Sequence, residues 1–349
     1  MKYRELGKSK IKVSAICLGT QEFGGRWEWG PALPMDECRK IIDYAIDAGI
    51  NFIDTAESYG KSEEILGELL KGRRDDVVLA TKIAGRQWDY KTVRKRIDGS
   101  LSRLQTDYVD LYMIHWPKMK GRWGCPSDME DKDYEDIYTS MESLKKEGLI
   151  REAGVSNFRL NHLKGFRDEA FNVIVTDQIP YNLLWRSYDE PEIADFCRKK
   201  GLRYLTYASL AQGLLTGKYG KDTPLAEVQK VNVLFNEPVY SRAMKVIEVL
   251  KEVAAEIDAT PAQVALRWVI ERELVVSSLI GIRRVEELKE NVEAVNLHLT
   301  REQMDRLDKA SLEFWAPMPP HSSGLELWIP NNKRAVLEKM GIKPPPDSL

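Results

Sequence analysis

Cysteine is scarce in this chain, and the four present, Cys17, Cys38, Cys125 and Cys197, are scattered with no C-x-x-C pair and no Cys/His ligand spacing. A disulfide framework and a structural zinc site are therefore not expected, no metal is assigned, and reduced thiols are the default. Charge of one sign is also missing, since 52 Lys and Arg face 54 Asp and Glu for a formal net of −2. That balance leaves no basic footprint for nucleic acid. No apolar run reaches the ~18 residues of a membrane-spanning helix, so no membrane partner is expected. Residues 1–12 lack the apolar core of a secretory leader, and a cytoplasmic protein is the expectation. The first strand–helix turn has no G-x-G-x-x-G, the fingerprint of an open doubly wound dinucleotide fold.

What is present is a chain with 43% hydrophobic and 30% charged residues, the composition of a globular protein with a sizeable core. Residues 3–13 form two short alternating runs around Gly7-Lys8-Ser9-Lys10, a hairpin signal. Strand patterns follow at 15–20, 52–54, 77–81, 108–114, 150–155, 173–178, 204–207 and 275–280. Helical patterns follow them at 35–48, 62–70, 90–104, 134–146, 159–167, 190–199, 241–256 with 261–271, and 285–295. Eight such alternations predict an α/β protein whose parallel sheet closes into a (β/α)8 TIM barrel over residues 1–310, with the N-terminal hairpin as a lid. Residues 311–349 read as a Pro-rich C-terminal extension that folds over the barrel mouth or meets a partner subunit. The sequence leaves the oligomeric state open.

The stretch from Gly49 to Gly60 organises the candidate chemistry. Its short strand delivers a carboxylate, Asp54, where a loop begins, and the loop presents a phenol, Tyr59. Lys82 and His115 stand at the ends of the next two strands. In a barrel of this kind the C-terminal strand ends build the active site, so four polar side chains placed there converge on one mouth.

In these stretches the chain resembles the aldo-keto reductase family from about residue 3 to residue 307. The matching segments are Leu18-Gly19-Thr20, Gly49-Ile50-Asn51-Phe52-Ile53-Asp54-Thr55-Ala56 with Ser58-Tyr59-Gly60, and Ala80-Thr81-Lys82. They continue with Asp110-Leu111-Tyr112, Ile114-His115-Trp116-Pro117, Gly154-Val155-Ser156-Asn157-Phe158 and Gln178-Ile179-Pro180-Tyr181-Asn182. The last are Gln212-Gly213-Leu214-Leu215-Thr216-Gly217-Lys218 and Gly281-Ile282-Arg283 with Glu290-Asn291.

The resemblance implies NAD(P)H-dependent reduction of a small-molecule carbonyl, with Tyr59 as general acid, Lys82 lowering the phenol's pKa, Asp54 pairing with Lys82, and His115 orienting the carbonyl. It implies that Gly19, Thr20 and Asp54 border the cofactor, that Ser156, Asn157 and Gln178 hold its carboxamide, and that Tyr207 stacks on the nicotinamide. Ser209, Leu210, Gln212, Gly213, Leu215 and Lys218 would cover the pyrophosphate. Gly281 and Arg283, at a helix N-terminus suited to phosphate, would grip a 2′-phosphate, with Asn291 near adenine. NADP, as NADPH, is thus expected ahead of NAD.

Two departures bear on that expectation. Ala208-Ser209 stands where many relatives have Ser-Pro, and Glu287 replaces a Gln or Arg. A carboxylate there repels a 2′-phosphate, which keeps NAD open. Trp27, Trp88 and Trp116 are the expected aromatic walls of the substrate pocket. Alternative readings are an NAD-linked polyol or sugar alcohol dehydrogenase and a nucleotide-binding regulatory subunit of the same fold.

Overall fold

A computed structural model of the chain describes residues 1–25, 30–121, 125–220, 222–226, 229–230 and 232–316. The chain opens with an antiparallel hairpin, β1 (Tyr3–Glu5) on β2 (Lys12–Ser14), in the register Tyr3↔Ser14 and Glu5↔Lys12. Gly7 turns it at φ +62°, where a Cβ would stand 2.4 Å from the Val175 carbonyl oxygen, so only glycine fits. Asn51 ties the hairpin to the next layer, accepting the Ser14 N–H at 2.7 Å and donating to the Lys12 carbonyl at 2.9 Å.

Eight parallel strands follow: β3 (Ile16–Gly19), β4 (Phe52–Asp54), β5 (Val78–Ile83), β6 (Val109–Ile114), β7 (Ile150–Ser156), β8 (Ile174–Pro180), β9 (Arg203–Tyr207) and β10 (Val275–Gly281). They close in the order β10-β3-β4-β5-β6-β7-β8-β9, which is the (β/α)8 barrel expected from the alternating pattern. Most of these strands are buried on both faces, because helices cover the outside and side chains fill the inside.

The outer helices start and stop where local chemistry dictates. Asp89 accepts the Thr92 N–H at 3.1 Å to begin Tyr90–Leu104. Thr260 and Gln263 exchange capping hydrogen bonds at 3.3 and 2.9 Å, with Pro261 in the first turn of Pro261–Ile270, a reciprocal cap. Boundaries moved in places: one helix begins at Asp131 in place of 134, and the expected helix at 159–167 is the five-residue Leu160–Lys164.

A last helix, Arg301–Trp315, did not figure in the sequence reading. It crosses the 310/311 point at which the extension was expected to start, and its Leu307 and Phe314 are buried in the main core. The remainder of the expected extension, residues 317–349, lies outside the described residues. Among the described residues no helix is long and apolar enough to cross a membrane.

The core has two parts. The larger lies between strands and helices, and the smaller, including Leu6, Val13, Phe52, Ala80, Leu111, Met113 and Leu205, fills the barrel interior. Leu6 and Val13 bring the hairpin into that inner cluster. Strand side chains alternate between faces, so Phe52, Ala80, Met113 and Leu205 put Asp54, Lys82, His115 and Tyr207 on the same inner face, two residues nearer the C-terminal mouth. The apolar floor thereby fixes the polar rim.

Candidate active site

The polar rim brings together the four side chains singled out by sequence. Lys82 is 0% exposed and Asp54 2%. The Lys82 ammonium donates to Asp54 Oδ1 at 2.5 Å, to the Thr55 carbonyl at 2.8 Å and to Tyr59 Oη at 3.3 Å. Three acceptors of three kinds saturate the three protons of one ammonium. The other Asp54 oxygen accepts from Gln178 Nε2 at 2.9 Å. His115 meets the Tyr59 ring edge-on, with centroids 5.7 Å apart, and its Nδ1 lies 3.4 Å from Ser58 Oγ.

Burial and pairing compete in setting the charges. Burial pushes the Asp54 carboxyl above its ordinary range, against the pull of Lys82 and Gln178. Burial works to lower Lys82, but Asp54 and Tyr59 outweigh it and hold the ammonium above its usual value. Tyr59 corrects an expectation: burial raises the phenol, and the opposing pull of Lys82 does not bring it below the ordinary value. A desolvated phenolate beside a carboxylate is costly even next to an ammonium. Burial therefore favours the neutral phenol at Tyr59.

Thr20, expected among the cofactor contacts, serves as a support. It is fully buried, and its N–H and hydroxyl both donate to the Asp54 carbonyl, at 3.0 and 2.9 Å. Ser62 donates to the Thr20 carbonyl at 2.8 Å and accepts from Thr55 at 2.9 Å. Gly19 pairs in register with Asp54 on one side and Gly281 on the other, so it joins the catalytic rim to the end of β10.

Ser156, Asn157, Gln178 and Tyr207 do meet. Asn157, in a left-handed conformation at φ +67°, donates to the His115 carbonyl and Ser156 Oγ, both at 3.0 Å. Its Oδ1 accepts from Tyr207 at 2.7 Å, and Ser156 donates to the Gln178 carbonyl at 2.9 Å. Two side-chain amides, a hydroxyl and a phenol thus share one wall beside Asp54, a donor and acceptor set that suits a carboxamide.

The loop after β9 divides. Leu215 is fully buried in the core and Ser209 is spent internally, accepting from Ser278 Oγ at 2.7 Å. Both were expected to touch the cofactor, and here both anchor the loop. Gln212 and Gly213 turn at φ +55° and +91°; Asn232 donates to Gln212 Oε1 at 2.9 Å, whereas Gln212 Nε2 is buried without a partner. Leu210 is partly buried, and exposed Lys218 pairs with Glu290 at 3.5 Å. Asn291 is buried on the inner side of Val285–Val292.

Beside β10, Glu287 Oε2 accepts the Arg283 N–H at 3.0 Å, and Arg283 Nη2 donates to the Pro31 carbonyl at 3.3 Å. Glu22, which the sequence reading passed over, lies here too. A Cβ on Gly281 would stand 2.3 Å from its Oε1, its Oε2 is buried without a partner, and burial pushes its carboxyl up to about 7. Its signal in the sequence is an ionisable residue two positions after a strand end. Ser58, also left out, was visible only as the neighbour of Tyr59.

Among the aromatic walls, Trp116 stacks against His115 with centroids 6.2 Å apart. Trp88 is 1% exposed and sits in the main core, with Lys118 over its ring at 5.5 Å. It is a core residue, which corrects its expected place on the pocket wall. Trp27 lies outside the described residues.

Comparison with known proteins agrees with the fold. The model described as "Aldo/keto reductase family" matches residues 15–312. An uncharacterized oxidoreductase of Mycobacterium tuberculosis is 34% identical, over 87% of this chain and 91% of its own. The NADH-specific methylglyoxal reductase of Escherichia coli is 30% identical, over 86% and 95%. The structure of a glycerol dehydrogenase from Gluconobacter oxydans superposes with a TM-score of 0.76 at 28% identity, over 89% and 95%.

Proposed function

This chain belongs to the aldo/keto reductase family, and on that premise we propose that it reduces an aldehyde, ketone or sugar-like carbonyl to the alcohol, with Tyr59 as the proton donor. The observation that carries the reading is the Lys82 ammonium shared between Asp54 and Tyr59 in a buried site. Tyr59 passes its phenolic proton to the carbonyl oxygen as charge develops there. Lys82 stabilises the phenolate left behind, and Asp54, held by Gln178, keeps the ammonium in place. His115, oriented by Ser58, supplies a hydrogen bond to the same oxygen and fixes the carbonyl against Tyr59. Trp116 shields that position from water.

A nicotinamide dinucleotide, when bound, supplies the hydride. The residues present fit such a group. Ser156, Asn157 and Gln178 offer the amide and hydroxyl partners of a carboxamide, Tyr207 offers a ring face, and the unpartnered Gln212 Nε2 offers a donor in the adjoining loop.

Oxidation of a polyol is the second reading, supported by the glycerol dehydrogenase likeness. In that direction Tyr59 is the base, as microscopic reversibility requires. A panel of carbonyls and alcohols, followed at the nicotinamide absorbance band with NADH and NADPH, separates the two by direction. No turnover in either direction on any member sinks both.

A further inference from the structure

The oxidoreductase reading leaves the choice of dinucleotide open, and the corner beside β10 bears on it. Helix Val285–Val292 begins four residues after the strand ends at Gly281. Free N–H groups at such a helix start ordinarily make an anion site. Here carboxylates of the chain itself take them. Glu287 Oε2 holds the Arg283 N–H at 3.0 Å, and Glu37 Oε1 holds the Val285 N–H at 3.4 Å. Glu287 Oε1 in turn accepts from Arg284 Nη2 and Nε at 3.0 and 3.2 Å, so both of its oxygens are fixed over the turn.

Glu22 adds a third carboxylate to the same corner. Its Oε1 lies against Gly281, and its buried Oε2 has no partner. Arg283 is the cation whose charge reaches Glu22, Arg284 pairs with Glu287, and Glu37 pairs with Lys40 at 3.4 Å. A phosphate monoester brings roughly −1.5 to −2 charge at neutral pH, and would compete with tethered carboxylates for the same N–H groups and the same arginines. A ribose 2′-hydroxyl brings no charge and a proton that a carboxylate accepts.

We propose that Glu287 and Glu22 make this corner select a dinucleotide with a free 2′-hydroxyl, so that the protein takes NADH in preference to NADPH. This inference rests on the oxidoreductase reading, and it reverses the preference expected from Arg283 alone. Glu287 is the specificity-determining residue, because it occupies the donor that a 2′-phosphate would need. Glu22 acts beside it through its unpartnered oxygen.

The test is equilibrium binding, read as quenching of tryptophan fluorescence in the full chain without substrate. Wild type, Glu287→Gln and Glu22→Gln are each titrated with NADH and with NADPH. Wild type is expected to bind NADH tighter by roughly tenfold or more, the scale of a like-charge clash, and Glu287→Gln is expected to narrow or invert the ratio. NADPH binding as tight as NADH in wild type overturns the proposal, as does a ratio that neither substitution moves. Binding of neither dinucleotide overturns the oxidoreductase reading itself and this inference with it.

Discussion

Two charged regions stand at the C-terminal ends of the strands, one over β4 to β6 and one beside β10, and they are built on opposite arrangements. Over β4 to β6 a single ammonium sits between a carboxylate and a phenol, every proton placed. Beside β10 two carboxylates take backbone N–H groups at the helix start, and a third has one oxygen left without a partner. In the reading proposed above, the first region is preorganised around a proton that moves. The second is preorganised around what it excludes. A charged residue at a strand end therefore means little until its partners are known.

Breaking the first region should have the larger effects. Tyr59→Phe removes the proton donor and is expected to cut kcat by about 10²–10⁴-fold, the range of general acid catalysis, with dinucleotide binding nearly intact by fluorescence titration. Wild-type turnover in that variant contradicts the role given to Tyr59. Lys82→Met leaves Asp54 buried and unpaired, and is expected to cost about 3–5 kcal/mol of folding stability, measured by denaturant unfolding. Asp54→Asn with Lys82→Met should cost less than Lys82→Met alone, because the stranded charge is gone. An additive loss would mean that the pair is not coupled.

The second region should respond to pH. The Glu22 carboxyl ordinarily titrates at 4.5 and is pushed by burial to about 7 in the fold. Between those values the unfolded chain is ionised there and the folded chain is not, so the folded state binds more protons and stability falls as pH rises across that window. Above about pH 7 the ionised Glu22 also repels an anionic dinucleotide. Affinity should thus decline by several-fold through neutrality, an estimate from the scale of screened like charges, and Glu22→Gln should flatten the profile. A wild-type affinity unchanged from pH 6 to 8 refutes the assignment. The smallest effect belongs to Ser58→Ala, which removes the 3.4 Å contact to His115 and should lower kcat roughly 2–10-fold, the worth of one hydrogen bond. No change at all would show that His115 is oriented without it.

The convergence of Asp54, Lys82 and His115 was legible from sequence because each follows an apolar partner at a fixed spacing. Phe52 and Asp54, Ala80 and Lys82, and Met113 and His115 each pair one floor residue with one rim residue, and the strand period carries both inward. Helix Arg301–Trp315 was missed although Thr300 and Gln303 signal it with a reciprocal cap at 3.2 and 3.0 Å. Burial was the harder property to read. Thr20, Ser209 and Leu215 carry the right names at the right places, yet their side chains are turned into the protein, and no local pattern distinguishes a contact from its support. Glu22 and Glu287 themselves come from segments more than 200 residues apart, and only closure of β10 on β3 brings them to one corner.

That closure leaves the hairpin at the far end with a role in supporting the rim. Leu6 and Val13 pack from below against the inner cluster that carries the rim side chains. Side chains fill the barrel interior above the hairpin, so whatever docks at the polar rim meets a packed floor.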